Sequence, residues 1–153
     1  MNTSPIASHR SKGARLRRIV LLSLVALVAI AQAPGSVWDG VYTPQQANRG
    51  EALYSMQCAA CHGSELTGGE SAPPLIGSEF LSSWYGLTVG DLFDRIRVSM
   101  PADRPGTLSR EKAADILSHI FRVNGFPAGK TDLATQSEYL KQIRIEAKPD
   151  GKK

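Results

Sequence analysis

The sequence predicts an all-α domain: three main helices and a long loop built round one central group. Three observations carry that expectation. Three stretches begin on helix-capping residues and continue with apolar residues at helical spacing. The segment between the first and second of them, 63–90, is rich in glycine and proline. Between the first helix and this loop lies Cys58-Ala59-Ala60-Cys61-His62, and the loop needs something flat and apolar to cover.

The chain has 153 residues, the size of one ordinary domain, with 42% hydrophobic and 21% charged residues, as in a globular protein rather than a disordered one. Its first 31 residues have a different character. Arg10, Lys12, Arg15, Arg17 and Arg18 precede an apolar run from Ile19 to Ile30 broken only by Ser23. The run ends in the small-residue patterns Ala29-Ile30-Ala31 and Ala31-Gln32-Ala33. That is the layout of a secretory signal peptide, with cleavage expected after Ala31 because Pro34 would flank the later cut. The apolar run is short of the roughly 20 residues that span a bilayer, so a retained membrane anchor is the alternative.

The leader also accounts for the positive charge. Of the 18 Lys and Arg, five lie in residues 1–31, which leaves 13 against 14 Asp and Glu. The expected mature chain is therefore close to neutral, and nothing supports binding to nucleic acid.

The elements follow in order. Residues 32–42, with Pro34-Gly35 and Asp39-Gly40, read as a linker. Thr43-Pro44-Gln45-Gln46 opens the first helix, with Thr43 as cap, Pro44 at the first helical position and Gln46 completing a capping box. It should run to about Gln57, with Ala47, Gly50, Leu53 and Tyr54 on one face. Residues 63–90 are expected to be mostly loop, their Leu75, Ile76, Phe80, Leu81, Trp84 and Tyr85 buried against the central group. Thr88-Val89-Gly90-Asp91 starts the second helix, which ends before Met100-Pro101. Ser109 caps the third, about Arg110 to Val123, with Ala113, Ile116, Leu117, Ile120 and Val123 inward, and Asn124-Gly125 stops it. Ser137 to Glu146 reads as a helical turn and then an extended piece. The domain is expected over 43–146, followed by a disordered tail over 147–153.

Cys58-Ala59-Ala60-Cys61-His62 carries the chemistry. C-x-x-C-H is the attachment signature of a c-type haem. Each thiol can form a thioether to the porphyrin, and His62 then lies beneath the iron as its proximal ligand. No other cysteine exists, so neither a disulfide framework nor a four-cysteine zinc site is available. A thioredoxin-like redox pair would need a βαβ setting, and the pattern here is helix and loop. Attachment needs both thiols reduced, and in bacteria it takes place outside the cytoplasmic membrane, in agreement with the leader.

The sixth iron ligand would be a thioether sulfur or an imidazole. Met56 precedes Cys58 by two residues, on the wrong side. Met100 ends a helix in a loop fixed by Pro101 and is the expected distal ligand. His119, midway along the third helix, is the rival, with a helix–helix contact as its plainer role. Trp84 and Arg97 are secondary candidates for contacts with the haem propionates.

The chain resembles the class I c-type cytochromes. Gly50 and Tyr54 stand eight and four residues before Cys58, as in that family. Pro73-Pro74-Leu75-Ile76-Gly77 matches its P-x-L-x-G segment. Ala114-Asp115-Ile116-Leu117-Ser118-His119-Ile120 matches its C-terminal helix, with His119 where the family has an aromatic residue. The resemblance implies that Gly50 lets the first and third helices cross closely. It implies that the Pro73 carbonyl accepts a hydrogen bond from His62, and that one haem c is attached through Cys58 and Cys61.

Gly40-Val41-Tyr42-Thr43, Phe80-Leu81-Ser82-Ser83-Trp84, Thr88 to Phe93 leading to Ser99-Met100-Pro101, and Val123 to Gly129 narrow it further. They are similar to the small exported cytochromes that accompany quinoprotein (PQQ-dependent) dehydrogenases. This implies a periplasmic one-electron carrier, not an enzyme. Its expected donor is a quinoprotein dehydrogenase, and its expected acceptor another cytochrome or a terminal oxidase. Membrane contact is expected only if the leader is retained. A haem enzyme or gas sensor with an open distal site is the alternative.

Overall fold

A computed structural model of the chain describes Met1 and residues 35–149. The expected leader and its cleavage site lie outside the described residues, Met1 apart, as does the end of the expected tail. The described part is mostly helical, with six helices: α1 (Pro44–Gln57), α2 (Ala59–His62), α3 (Gly77–Trp84), α4 (Val89–Ser99), α5 (Arg110–Val123) and α6 (Ser137–Leu140).

The three main helices begin where the capping residues place them. Thr43 Oγ1 accepts from the Gln46 N–H at 3.1 Å, with Pro44 at the first helical position. Thr88 and Asp91 form a reciprocal capping box at α4. Ser109 Oγ accepts from the Lys112 N–H at 3.3 Å at α5. Each bond satisfies an N–H that the first helical turn leaves without a partner. Gln46 does not complete the expected capping box. Its side chain is buried, and the Leu133 backbone offers its amide both a donor and an acceptor: Leu133 N–H to Oε1 at 2.6 Å, and Nε2–H to the Leu133 carbonyl at 3.2 Å. A buried amide needs both.

The centre of the domain is the crossing of α1 over α5. It is tight because Gly50 has no side chain: a Cβ there would lie 1.8 Å from the Asp115 carbonyl oxygen and 3.1 Å from His119 Cβ. Around it pack Ala47, Tyr54, Ala113, Ile116, Leu117, Ile120 and Phe121, joined by Val89, Leu92 and Phe93 of α4. Of the expected inward face of α5, Val123 alone is only half-buried.

Tyr85, expected to be buried, is 63% exposed, and two further expectations are corrected. The stretch 63–90 is not mostly loop at its second half, because Gly77–Trp84 forms α3. The helix starts without a side-chain cap, on Ile76. Burial of Phe80, with Leu81 and Trp84 packed partly against the same core, holds its face in place. The expected linker is also, from Gly35 onward, part of the packed domain. Val37 and Tyr42 are fully buried. The Tyr42 hydroxyl donates to the Phe126 carbonyl at 2.8 Å, and the Trp38 indole N–H donates to the Glu146 carbonyl at 2.9 Å. Gly35–Ser36 (β1) pairs in parallel with Ile143–Arg144 (β2). The two ends of the domain thus meet, and Lys148 Nζ lies 5.9 Å from the Trp38 ring centre, so the tail begins on the domain surface.

Candidate haem site

The C-x-x-C-H motif forms a single helical turn at the end of α1. The Cys61 and His62 N–H groups both donate to the Cys58 carbonyl, at 3.2 and 3.0 Å. Positions three and four apart share a helix face, so Cys58, Cys61 and His62 are grouped on one side of the turn. Both cysteines are free thiols. Cys58 is half-buried, and its burial, with the neighbouring Cys61, pushes its thiol up to about 11; it stays protonated near neutrality.

His62 is buried, and its Nδ1 lies 2.8 Å from the Pro73 carbonyl oxygen. A carbonyl only accepts, so the proton of the neutral ring sits on Nδ1 and the lone pair on Nε2. No hydrogen bond among the described residues engages Nε2. The ring is therefore oriented through Nδ1, and Nε2 is the nitrogen with a lone pair to give to a metal. Two thiols and an imidazole nitrogen suit the attachment and proximal ligation of a c-type haem, and the half-buried apolar side chains Leu53, Ala59, Leu75, Ile76, Leu81 and Trp84 could cover its faces. Among the described residues, no group of three or more His, Cys, Asp and Glu side chains could hold a bare metal ion.

The other expected residues are placed as follows. Met100 caps the C-terminus of α4, half-buried, its N–H donating to the Ile96 carbonyl at 3.1 Å, with buried Pro101 after it. Met56 is 67% exposed on α1. Trp84 ends α3, half-buried, with no hydrogen bond at its indole nitrogen among the described residues. Arg97 is half-buried in the last turn of α4 and forms no ion pair among the described residues. Nothing on these two side chains brings them to His62 directly.

The family model described as cytochrome c oxidase, cbb3-type, subunit III matches residues 45–120. A solved structure, titled the sulfane dehydrogenase SoxCD from Paracoccus pantotrophus, is similar with a TM-score of 0.52 and 24% identity. The match covers 70% of this chain and 61% of that one. No curated protein sequence matches significantly. The chain has the fold of a class I c-type cytochrome.

In this fold His119 lies at the helix crossing, 5% exposed, its ring 5.3 Å from that of Tyr54. Its Nδ1 is 3.0 Å from Arg122 Nη2, which has no lone pair to offer and so donates. Arg122 in turn holds Asn48 and Glu51 of α1. Burial and the Arg122 charge hold the His119 pKa below its ordinary value, against a weaker pull from Glu51. Tyr54 donates to the Gly63 carbonyl at 2.8 Å, tying α1 to the residue after His62.

Two residues around the site carry no motif. Asn124, read from sequence as a helix stop, donates from Nδ2 to the Leu75 and Ile120 carbonyls, both at 2.9 Å, and accepts the Gly77 N–H at 3.0 Å. Gly68 donates its N–H to the His62 carbonyl at 2.9 Å. The only sequence signals for them are the Asn124-Gly125 and Gly68-Gly69 pairs, which mark turns and say nothing of distant partners.

Proposed function

We propose that the chain is a periplasmic, monohaem cytochrome c that carries single electrons. One haem would be attached through Cys58 and Cys61, with His62 and Met100 as axial ligands. The observation that carries this reading is the state of His62: its Nδ1 is fixed on the Pro73 carbonyl while Nε2 is left free, one helical turn from two free thiols. A haem held there supplies a ferric/ferrous couple, with the potential raised by a thioether ligand.

The chain's own residues then have distinct tasks. Cys58 and Cys61 anchor, the Pro73 carbonyl orients His62, and the buried core of α1, α4 and α5 keeps water from the site. Trp84 and Arg97 each offer hydrogen-bond donors without a partner among the described residues, which suits carboxylates such as propionates. The leader-like first 31 residues support export, with anchoring to the cytoplasmic membrane if they are retained. We take the donor to be a quinoprotein dehydrogenase and the acceptor another cytochrome or a terminal oxidase. A related fold in the structure titled sulfane dehydrogenase SoxCD fits a cytochrome that serves a dehydrogenase. Docking would be weak and transient, as for redox encounters generally.

The test is to produce the full chain in a host that attaches haem c, count haem per chain, and mix the reduced protein with carbon monoxide and with an oxidised cytochrome. One haem, rapid reoxidation by the cytochrome and slow or absent carbon monoxide binding are expected. Rapid carbon monoxide binding would point instead to an enzyme or gas sensor with an open distal site.

A further inference from the structure

The strap that carries Pro73 is fixed on both sides of that residue. The chain leaves His62 through Gly63 and comes straight back. The Leu66 N–H donates to the Gly63 carbonyl at 3.2 Å, the Gly68 N–H to the His62 carbonyl at 2.9 Å, and the Leu75 N–H to the Leu66 carbonyl at 2.8 Å. The returning limb passes against Gly68, whose φ is +74°. A Cβ at Gly68 would lie 2.6 Å from Pro74 N and 2.8 Å from both the Ala72 oxygen and the Pro73 carbonyl carbon. Only a hydrogen fits there.

On the far side Asn124 takes over. One side-chain amide joins the Leu75 carbonyl, the Gly77 N–H and the Ile120 carbonyl, and so ties the strap to the last turn of α5. Pro73 has no N–H of its own and its side chain is exposed. The position of its carbonyl is therefore set by these neighbours.

We infer that Gly68 and Asn124 are positioning residues: they hold the Pro73 carbonyl on His62 Nδ1 and so set the strength of His62 as an iron donor. The inference rests on the reading of His62 as an iron ligand. Such a bond leaves the ring more electron density to give through Nε2, which favours ferric iron. If Gly68 only shaped a turn and Asn124 only ended a helix, their loss would lower stability and leave the ring bond alone.

Four variants of the haem-loaded full chain separate these cases. Gly68→Ala brings a side chain against the strap. Asn124→Ala removes all three amide bonds. Asn124→Asp keeps the acceptor for the Gly77 N–H but cannot donate to Leu75 or Ile120, and it carries the test if Asn124→Ala does not accumulate. Gly86→Ala is the control, since φ is +78° and a Cβ there would meet nothing within 4 Å, so it imposes backbone strain alone.

The readouts are solvent exchange of the His62 Nδ1 proton by NMR and the reduction potential. Gly68→Ala and Asn124→Ala should exchange about tenfold faster or more than wild type, as losing one or more ordinary hydrogen bonds allows. Their potentials should shift upward, with Asn124→Asp between them and wild type, and Gly86→Ala unchanged. Either residue whose variant matches Gly86→Ala in both readouts has no positioning role, and a match by both overturns the inference. A wild-type chain that takes up no haem would instead overturn the reading of His62, so the two failures are distinguishable.

Discussion

The α-carbon of Gly50 rests directly on the backbone of Asp115: a Cβ at Gly50 would lie 1.8 Å from the Asp115 carbonyl oxygen and 2.5 Å from its carbon. Neither atom belongs to a side chain that can turn away. Gly50→Ala must therefore part α1 from α5, and α1 ends at the motif that places Cys58 and His62. We expect a loss of about 3 kcal/mol or more, at the upper end of overpacking costs, read as a lower denaturant midpoint. The yield of haem-loaded protein should fall with it. A Gly50→Ala variant of wild-type stability would show that the crossing is not closed by this contact.

His119 makes the same crossing sensitive to acid. It is held neutral by burial and by Arg122, with Glu51 of α1 opposing and Tyr54 packed against the ring. Its folded pKa lies below the ordinary 6.5, so the unfolded chain takes up the proton first. The contribution of a neutral His119 is whole above that value. It is lost as the pH falls from there through the folded pKa. Wild type should accordingly lose stability on acidification from pH 6.5, and His119→Phe should lose less over the same range. Denaturant midpoints against pH decide it; parallel profiles for the two proteins would remove His119 from the acid response.

Gln46 offers a test of the C-terminal wrap. Its amide satisfies both backbone groups of buried Leu133. Gln46→Ala strands them, at a cost of about 2 kcal/mol or more for buried groups left without partners. Gln46→Glu keeps the acceptor and loses the donor, and should fall between the two in thermal melts. Equal melting of all three proteins would contradict the pairing.

Local signals made much of this legible in the sequence. Thr43, Thr88 and Ser109 announce three helices because a cap is decided within one turn. The C-x-x-C-H turn stands out because spacing alone defines it, and Gly50 because the family resemblance places a glycine eight residues before Cys58. What stayed hidden depends on distant partners. Trp38 lay in a stretch rich in turn residues, and its indole partner, Glu146, is 108 residues away. Gln46 fits a capping box by position, yet its partner is 87 residues on. Asn124 reads as a helix stop, while it reaches back 47 and 49 residues to Gly77 and Leu75. Helix α3 begins without a capping side chain, so only tertiary burial of Phe80 marks it. Met100 is a different case: the structure places it half-buried at the end of α4, and its role as an iron ligand is our proposal.

The central claim is that His62 and Met100 both bind the iron. It is tested most directly by the ferric absorption spectrum of wild type and Met100→Ala, recorded side by side. The wild-type protein should show the weak far-red band of sulfur-to-iron charge transfer. Met100→Ala should lack it and have a lower reduction potential, because a thioether ligand raises the potential. A wild-type spectrum without the band, or a Met100→Ala spectrum that keeps it, would contradict the claim.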